Sequence, residues 1–164
     1  MISHSVNGSV RVEDGVGVIS VVTDYPTPPE DLWTAITAPE RLTRWFGQVQ
    51  LRPDGAMAYD ASLTTGWNGI IRVEECERPR IIRLAFLDES EPPTAVYAQL
   101  DAVDGGTRLT IEERGLPADD LATYVAGWHA QVEQLLSDLS GEAPVEWRPR
   151  WIQLRTDYRE NLPT

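Results

Sequence analysis

A chain of 164 residues has the length of one domain, and 14 basic against 26 acidic residues set its formal charge at −12. Every basic residue is an arginine, which excludes Schiff-base or phosphate-loop lysine chemistry, and one cysteine permits neither an internal disulfide nor a cysteine-rich zinc site. Two histidines exclude a multi-histidine metal centre within one chain, so neither metal nor cofactor is expected.

The first residues read as a tail, without the basic region and apolar run of a leader. Residues 8–23 read as strand, with Val10, Val12, Val16, Val18, Ile19, Val21 and Val22, broken by the hairpin signal Asp14-Gly15. Thr27 is placed to cap a short helix that opens on Pro28 and Pro29 and carries Leu32, Trp33 and Ile36 to about Ala38. Pro39 opens a second, through Leu42, Trp45 and Phe46, and Gly47 stops it. From Gln48 to Glu113 apolar and polar residues alternate. Strands are expected near 56–63, 69–77, 80–87, 94–103 and 107–114, with a short one near 48–52. Asp54-Gly55, Asn68-Gly69 and Asp104-Gly105 signal hairpins, while Arg78-Pro79 and Glu91-Pro92-Pro93 separate other segments. Consecutive hairpins imply an antiparallel meander.

One long helix follows, from about Ala118 to Leu139. Its stripe is Leu121, Tyr124, Val125, Trp128, Val132, Leu135, Leu136 and Leu139, with Asp119 and Asp120 in the first turn and Gly141 as the stop. A connection from Pro144 to Pro149 leads to a last amphipathic segment with Trp151, Leu154, Tyr158 and Leu162. The order of strand, two short helices, meander and long helix is α+β, and the long helix must cross the sheet's apolar face. A sheet curled around it can leave a cavity. We expect a single domain over 1–164, with its core at about 8–140 and residues 141–164 as a C-terminal extension bearing a short amphipathic helix. A pI near 4.5 argues against nucleic acid and anionic lipid as partners. The longest aliphatic run, Val16 to Val22, is too short to span a membrane. A cytoplasmic monomer or homodimer is expected.

The run from Pro29 to Gly47 resembles the signature opening of the SRPBCC (START-like, Bet v-type) superfamily. Within it, the run is most similar to the branch named for the activator of heat-shock protein 90 ATPase. Gly69 at the head of a strand, Pro79-Arg80-Ile81-Ile82, Gly105 to Thr110, Gly115-Leu116-Pro117 and Gly127-Trp128 continue the resemblance in order, over roughly residues 16–140. The resemblance implies a helix-grip fold, a curved antiparallel sheet wrapped round a long C-terminal helix, with a deep apolar cavity. Members of the superfamily include lipid and hormone carriers, polyketide cyclases and aromatases, and antibiotic self-resistance proteins, so the fold alone selects no function.

The resemblance places Trp45, with Phe46 beside it, at one end of the cavity. Parity turns Phe86 inward with Ile82 and Leu84, and pairs Tyr59 with Met57 and Leu63; Trp67 is a further strand aromatic, and Tyr97 falls on the less apolar face. Tyr124 and Trp128 either pack the core or line the cavity. Gly127 costs the helix about 1 kcal/mol relative to Ala, and the expected return is close approach of a backbone or bulky neighbour. Leu109, Ile111 and Glu113 share the helix-facing side of the last strand. Glu113 either reaches solvent at the rim or, buried, serves as an acid or base. His129 falls just off the stripe, beside Val125 and Val132, either as a hydrogen-bonded boundary residue or as a general base. Trp147 and Trp151 are expected to cover the sheet or an oligomer contact.

The leading expectation is a carrier, sensor or self-resistance protein. It would hold a small apolar or aromatic ligand against Trp45, Phe46, Tyr59, Trp67, Phe86, Ile111, Tyr124 and Trp128. The alternative is a cofactor-independent cyclase, aromatase or isomerase using His129 or Glu113. A third, a co-chaperone-like interaction role, comes from the family's name alone.

Overall fold

Strict alternation of inward apolar and outward polar residues builds one antiparallel sheet, and one amphipathic helix covers part of it. The structure, a computed structural model, describes residues 6–60, 67–88, 91–143 and 145–162. The elements in chain order are β1 (Asn7–Glu13), β2 (Val16–Tyr25), α1 (Pro29–Thr37), α2 (Pro39–Trp45), β3 (Gln48–Leu51) and β4 (Met57–Asp60). There follow β5 (Asn68–Glu77), β6 (Ile81–Asp88), β7 (Glu91–Val103), β8 (Gly106–Leu116), α3 (Leu121–Leu139) and α4 (Trp147–Asn161). The eight strands lie in the order β1-β2-β8-β7-β6-β5-β4-β3. After the β1–β2 hairpin, α1 and α2 carry the chain to the far edge, and the meander returns it to β2. This is the α+β arrangement the pattern implied and the helix-grip fold the resemblance implied.

The face turned toward α3 follows from register. Ile19, Val21, Thr23 and Tyr25 of β2 oppose Glu113, Ile111, Leu109 and Thr107 of β8, and all eight are buried. On the other side of β8, Val96, Ala98 and Leu100 of β7 continue the same face, leaving Tyr97 half-buried on the opposite one. Gly115 (φ +92°) is the extra residue of a bulge opposite the Gly17–Val18 step, so the alternation shifts by one position and Leu116 returns to the inner face. At the other end of the strand Gly106 lets the backbones close up: a Cβ there would lie 1.9 Å from the Tyr25 carbonyl oxygen.

Several local expectations change. Thr27 does not cap α1; Pro28 holds the cap position, and the Thr27 hydroxyl donates to Asp31 Oδ2 at 2.6 Å. The long helix begins at Leu121, not Ala118, so Asp119 and Asp120 precede its first turn and Asp120 is the N-cap residue. Asn68-Gly69 is not a turn but the start of β5, in register with Asp60 and Tyr59. Pro92 and Pro93 belong to β7, where β8 pairing has ended and a register shift interrupts β6, so their missing N–H groups break no ladder. Leu63, expected beside Tyr59, lies outside the described residues.

Two hydrogen bonds fix the helices on this frame. The fully buried Tyr25 donates its hydroxyl to the Val132 carbonyl of α3 at 2.8 Å, and Trp45 Nε1 donates to the Ala35 carbonyl at 2.9 Å. The outer side of α3 is covered by α4: Ala126 and Ala130 pack against Trp147 and Leu154, with Trp151 and Tyr158 alongside. Small residues on α3 let α4 sit close. Among the described residues no helix is long and apolar enough to cross a membrane. Replacing Tyr25 by Phe should cost about 1–2 kcal/mol, the usual loss for one buried hydrogen bond. Urea unfolding should show a lower midpoint with an unchanged slope.

Candidate functional site

Between α3, the β4–β7 half of the sheet and α4 lies a cavity of about 680 Å³. Five of its aromatic side chains close into a ring. Phe46 stacks on Tyr59 (centroids 4.4 Å apart), Tyr59 meets Trp67 (5.4 Å), and Trp67 stacks on Phe86 (5.3 Å). Phe86 faces Trp128 (6.3 Å), and Trp128 returns to Phe46 (6.0 Å). The members are the residue that caps α2, one from β4, the residue just before β5, one from β6 and one from α3, so sheet closure assembles the ring. Tyr124, Gly127 and Gln131 of α3 extend this wall, and Trp147, Arg148 and Trp151 of α4 add to the lining.

Gly127 does not serve the close approach its sequence position suggested. A Cβ built on it meets nothing within 4 Å, and the residue borders the cavity, so its missing side chain is volume left to the cavity. Near the end of α2 the Phe46 carbonyl accepts from the Tyr59 hydroxyl at 2.6 Å and from Gln131 Nε2 at 3.3 Å. One oxygen thereby ties α2, β4 and α3 together and sets where the Phe46 ring points.

Glu113 is the buried carboxyl of this cavity, 8% exposed. Its β-ladder neighbours are Ile19 and Val96, both apolar. Trp128 Nε1 donates to its Oε1 at 2.8 Å and the Thr94 hydroxyl to its Oε2 at 2.7 Å. Burial pushes this carboxyl above its ordinary range, against the lowering effect of the two donors. Tyr124, across the cavity wall, is also raised, first by burial and then by the charges of Glu91 and Glu113.

Of the residues singled out in the sequence, Phe46, Tyr59, Trp67, Phe86, Glu113, Tyr124 and Trp128 meet at the cavity. Trp45 and Ile111 do not figure among its described lining residues; both are core, Trp45 packing behind Phe46 at 5.3 Å. His129 is likewise outside it. It lies beneath α4, its Nδ1 2.7 Å from the Tyr158 hydroxyl and its Nε2 3.5 Å from Glu133. Trp147 and Trp151 cover α3, not the sheet, stacked at 5.6 Å. Their cavity role had one sequence signal, the period of four between two tryptophans, which cannot say which helix they meet. Among the described residues no group of three or more His, Cys, Asp or Glu is disposed to hold a metal ion.

A family model described as activator of Hsp90 ATPase homolog 1-like protein matches residues 26–139. No curated protein matches the chain in sequence. Among solved structures, CalU16 from Micromonospora echinospora superposes with a TM-score of 0.75 at 22% identity, covering 95% of this chain and 96% of that one. EF2215 from Enterococcus faecalis, a conserved protein of unknown function, gives 0.72 at 16% identity, covering 96% and 92%. DynU16, from the dynemicin biosynthetic locus, gives 0.69 at 26% identity over 83% of this chain and 52% of its own, so this chain spans about half of DynU16. These likenesses show the fold.

The cluster that seats α4 carries a pH signature. Burial pushes the Glu133 carboxyl up, but hydrogen bonds from Arg150 (2.7 and 2.8 Å) and from His129 outweigh it and hold the group at about 2. A carboxyl lowered on folding stabilises fully above its unfolded value of 4.5, and the contribution is lost as pH falls through about 2. Glu133→Gln should therefore cost roughly 1 kcal/mol near neutrality, discounted for partial exposure. Its deficit against the parent should shrink between pH 4.5 and 2 in denaturant titrations. A constant deficit across that window would contradict the assignment.

Proposed function

We propose, from the premise that this chain belongs to the activator of Hsp90 ATPase homolog 1-like family, that it binds a small apolar or aromatic molecule in the cavity beside α3. The observation that carries this reading is the contiguous ring of five aromatic side chains that lines a cavity of about 680 Å³. That volume is within the range of sites for drug-sized molecules, about 300–1,000 Å³. Flat, rigid side chains offer contact area at small entropic cost, and lose little mobility when a planar molecule inserts. Unoccupied, such a wall exposes apolar area to water; a ligand returns roughly 25 cal/mol for each Å² it covers. The likeness to a protein of the dynemicin biosynthetic locus supports a place beside small-molecule biosynthesis, as a carrier or self-protection binder.

A second reading rests on Glu113. A carboxyl raised by burial holds its proton at higher pH than a surface glutamate, and in this state it can protonate a bound carbonyl or enol. That supports a cyclase- or isomerase-type reaction templated by the cavity, with Glu113 as the acid. His129, engaged beneath α4, does not support this role.

Gly127 provides the test. 1-Aminoanthracene, a neutral fluorophore whose emission shifts to the blue in apolar surroundings, should bind saturably to the parent protein. Gly127→Leu, whose side chain enters the cavity, should weaken that binding at least about tenfold while the protein stays folded. Gly127→Ala should raise stability by about 1 kcal/mol, since it restores helix propensity without a clash. Absence of saturable binding by the parent, or equal binding by Gly127→Leu, would sink the reading.

A further inference from the structure

The charge of the cavity wall is one-sided where it is most buried. Glu113 is held only by neutral donors, the Trp128 indole and the Thr94 hydroxyl, and no ion pair joins it to an arginine among the described residues. Glu91, on the same cavity, also lacks such a partner, and its charge acts on Glu113 as a like charge. The single cationic side chain among the described lining residues, Arg148, is exposed on α4. A carboxylate in apolar surroundings, without a counter-charge, costs free energy that a bound cation recovers. The faces of the aromatic ring carry negative quadrupole charge and attract the same kind of group.

Resting on the ligand-binding reading above, we propose that the cavity selects an organic cation: a protonated amine on a flat apolar body, the ammonium reaching Glu113 and the body lying in the cavity against the wall of Phe46, Tyr59, Trp67, Phe86 and Trp128. Glu113 acts as counter-ion and hydrogen-bond acceptor for the ammonium. Glu91 supports it from the rim. A neutral molecule of the same shape leaves Glu113 with its two neutral donors alone, and gains only the apolar contacts.

The experiment compares 2-naphthylmethylamine with 2-naphthylmethanol, matched in size and differing in charge, by titration calorimetry at neutral pH. The amine should bind at least about tenfold more tightly to the parent protein. Glu113→Gln should bring the two affinities together. Glu160→Gln, which removes an exposed α4 carboxylate, should leave the ratio unchanged and so separates the site from the chain's net negative charge. Where Glu113→Gln does not fold, Glu91→Gln on the exposed rim gives the same reading: a ratio reduced several-fold supports the proposal, and an unchanged ratio overturns it. Equal binding of amine and alcohol by the parent overturns the cation proposal and leaves the apolar-ligand reading standing. A ratio that persists in Glu113→Gln does the same. Binding of neither compound overturns both.

Discussion

One helix cannot cover eight strands. A helix with its side chains is about 10 Å across, while eight strands at about 4.8 Å spacing make a sheet about 34 Å wide. Here α3 lies against β1, β2 and α2, and the tyrosine hydroxyl of β2 holds it there through the Val132 carbonyl. The β4–β7 half of the inner face must then be covered by something else. Curling the sheet narrows the gap, and large side chains reach across what remains. The cavity is what is left of that gap, and most of the other features are responses to it.

The first response is aromatic. Rings are the widest side chains available, and a closed cycle of them lines the uncovered half without filling it. Their placement depends on a single carbonyl: the Phe46 oxygen, held by Tyr59 from β4 and Gln131 from α3, sets the angle at which α2 ends. The second response is α4, whose stacked Trp147 and Trp151 form a wall that neither sheet nor α3 supplies. It is seated through Ala126 and Ala130, small enough to admit it, and through the Glu133–Arg150 pair. The third is Gly127, which forgoes helix propensity and leaves the wall open. Glu113 then stands between the apolar ladder neighbours Ile19 and Val96, and its chemistry comes from that setting.

Much of this was legible in the residues. The strand alternation, the Asp-Gly turns and the long apolar stripe of α3 each express local stereochemistry, and they were enough for the antiparallel meander and the helix across it. The inward direction of Phe86, Tyr59 and Glu113 followed from parity, since side chains alternate along a strand whatever its neighbours do. Where local rules failed, a long-range contact had intervened. Asn68-Gly69 carries a turn signal, yet pairing with β4 draws it into the ladder. Thr27 looks like a cap, but its hydroxyl donates to Asp31. His129, one position from Trp128, points beneath α4 because the hundred-degree step between helix neighbours carries it away from the cavity wall. Trp45 and Ile111 are as apolar as their neighbours on the wall, and only packing distinguishes a residue behind the wall from one on it.

The amino-acid sequence by itself determined the elements, the α+β class and the face that each strand turns inward, because these depend on periodicity and on steric rules acting over a few residues. It also determined that the interior would be stocked with aromatics and no lysine, whereas the single cysteine, Cys76, lies exposed on β5. Tertiary structure alone decided that five aromatics from five elements would form one ring, that the C-terminal helix would become a wall of the cavity, and that Gly127 would face empty space. It also decided that Glu113 would be buried and held by two neutral donors, Trp128 and Thr94. Each of these is a relation between residues far apart in the chain, and burial, which sets the pKa of a carboxyl and the worth of a ring, exists only once those residues have closed upon one another.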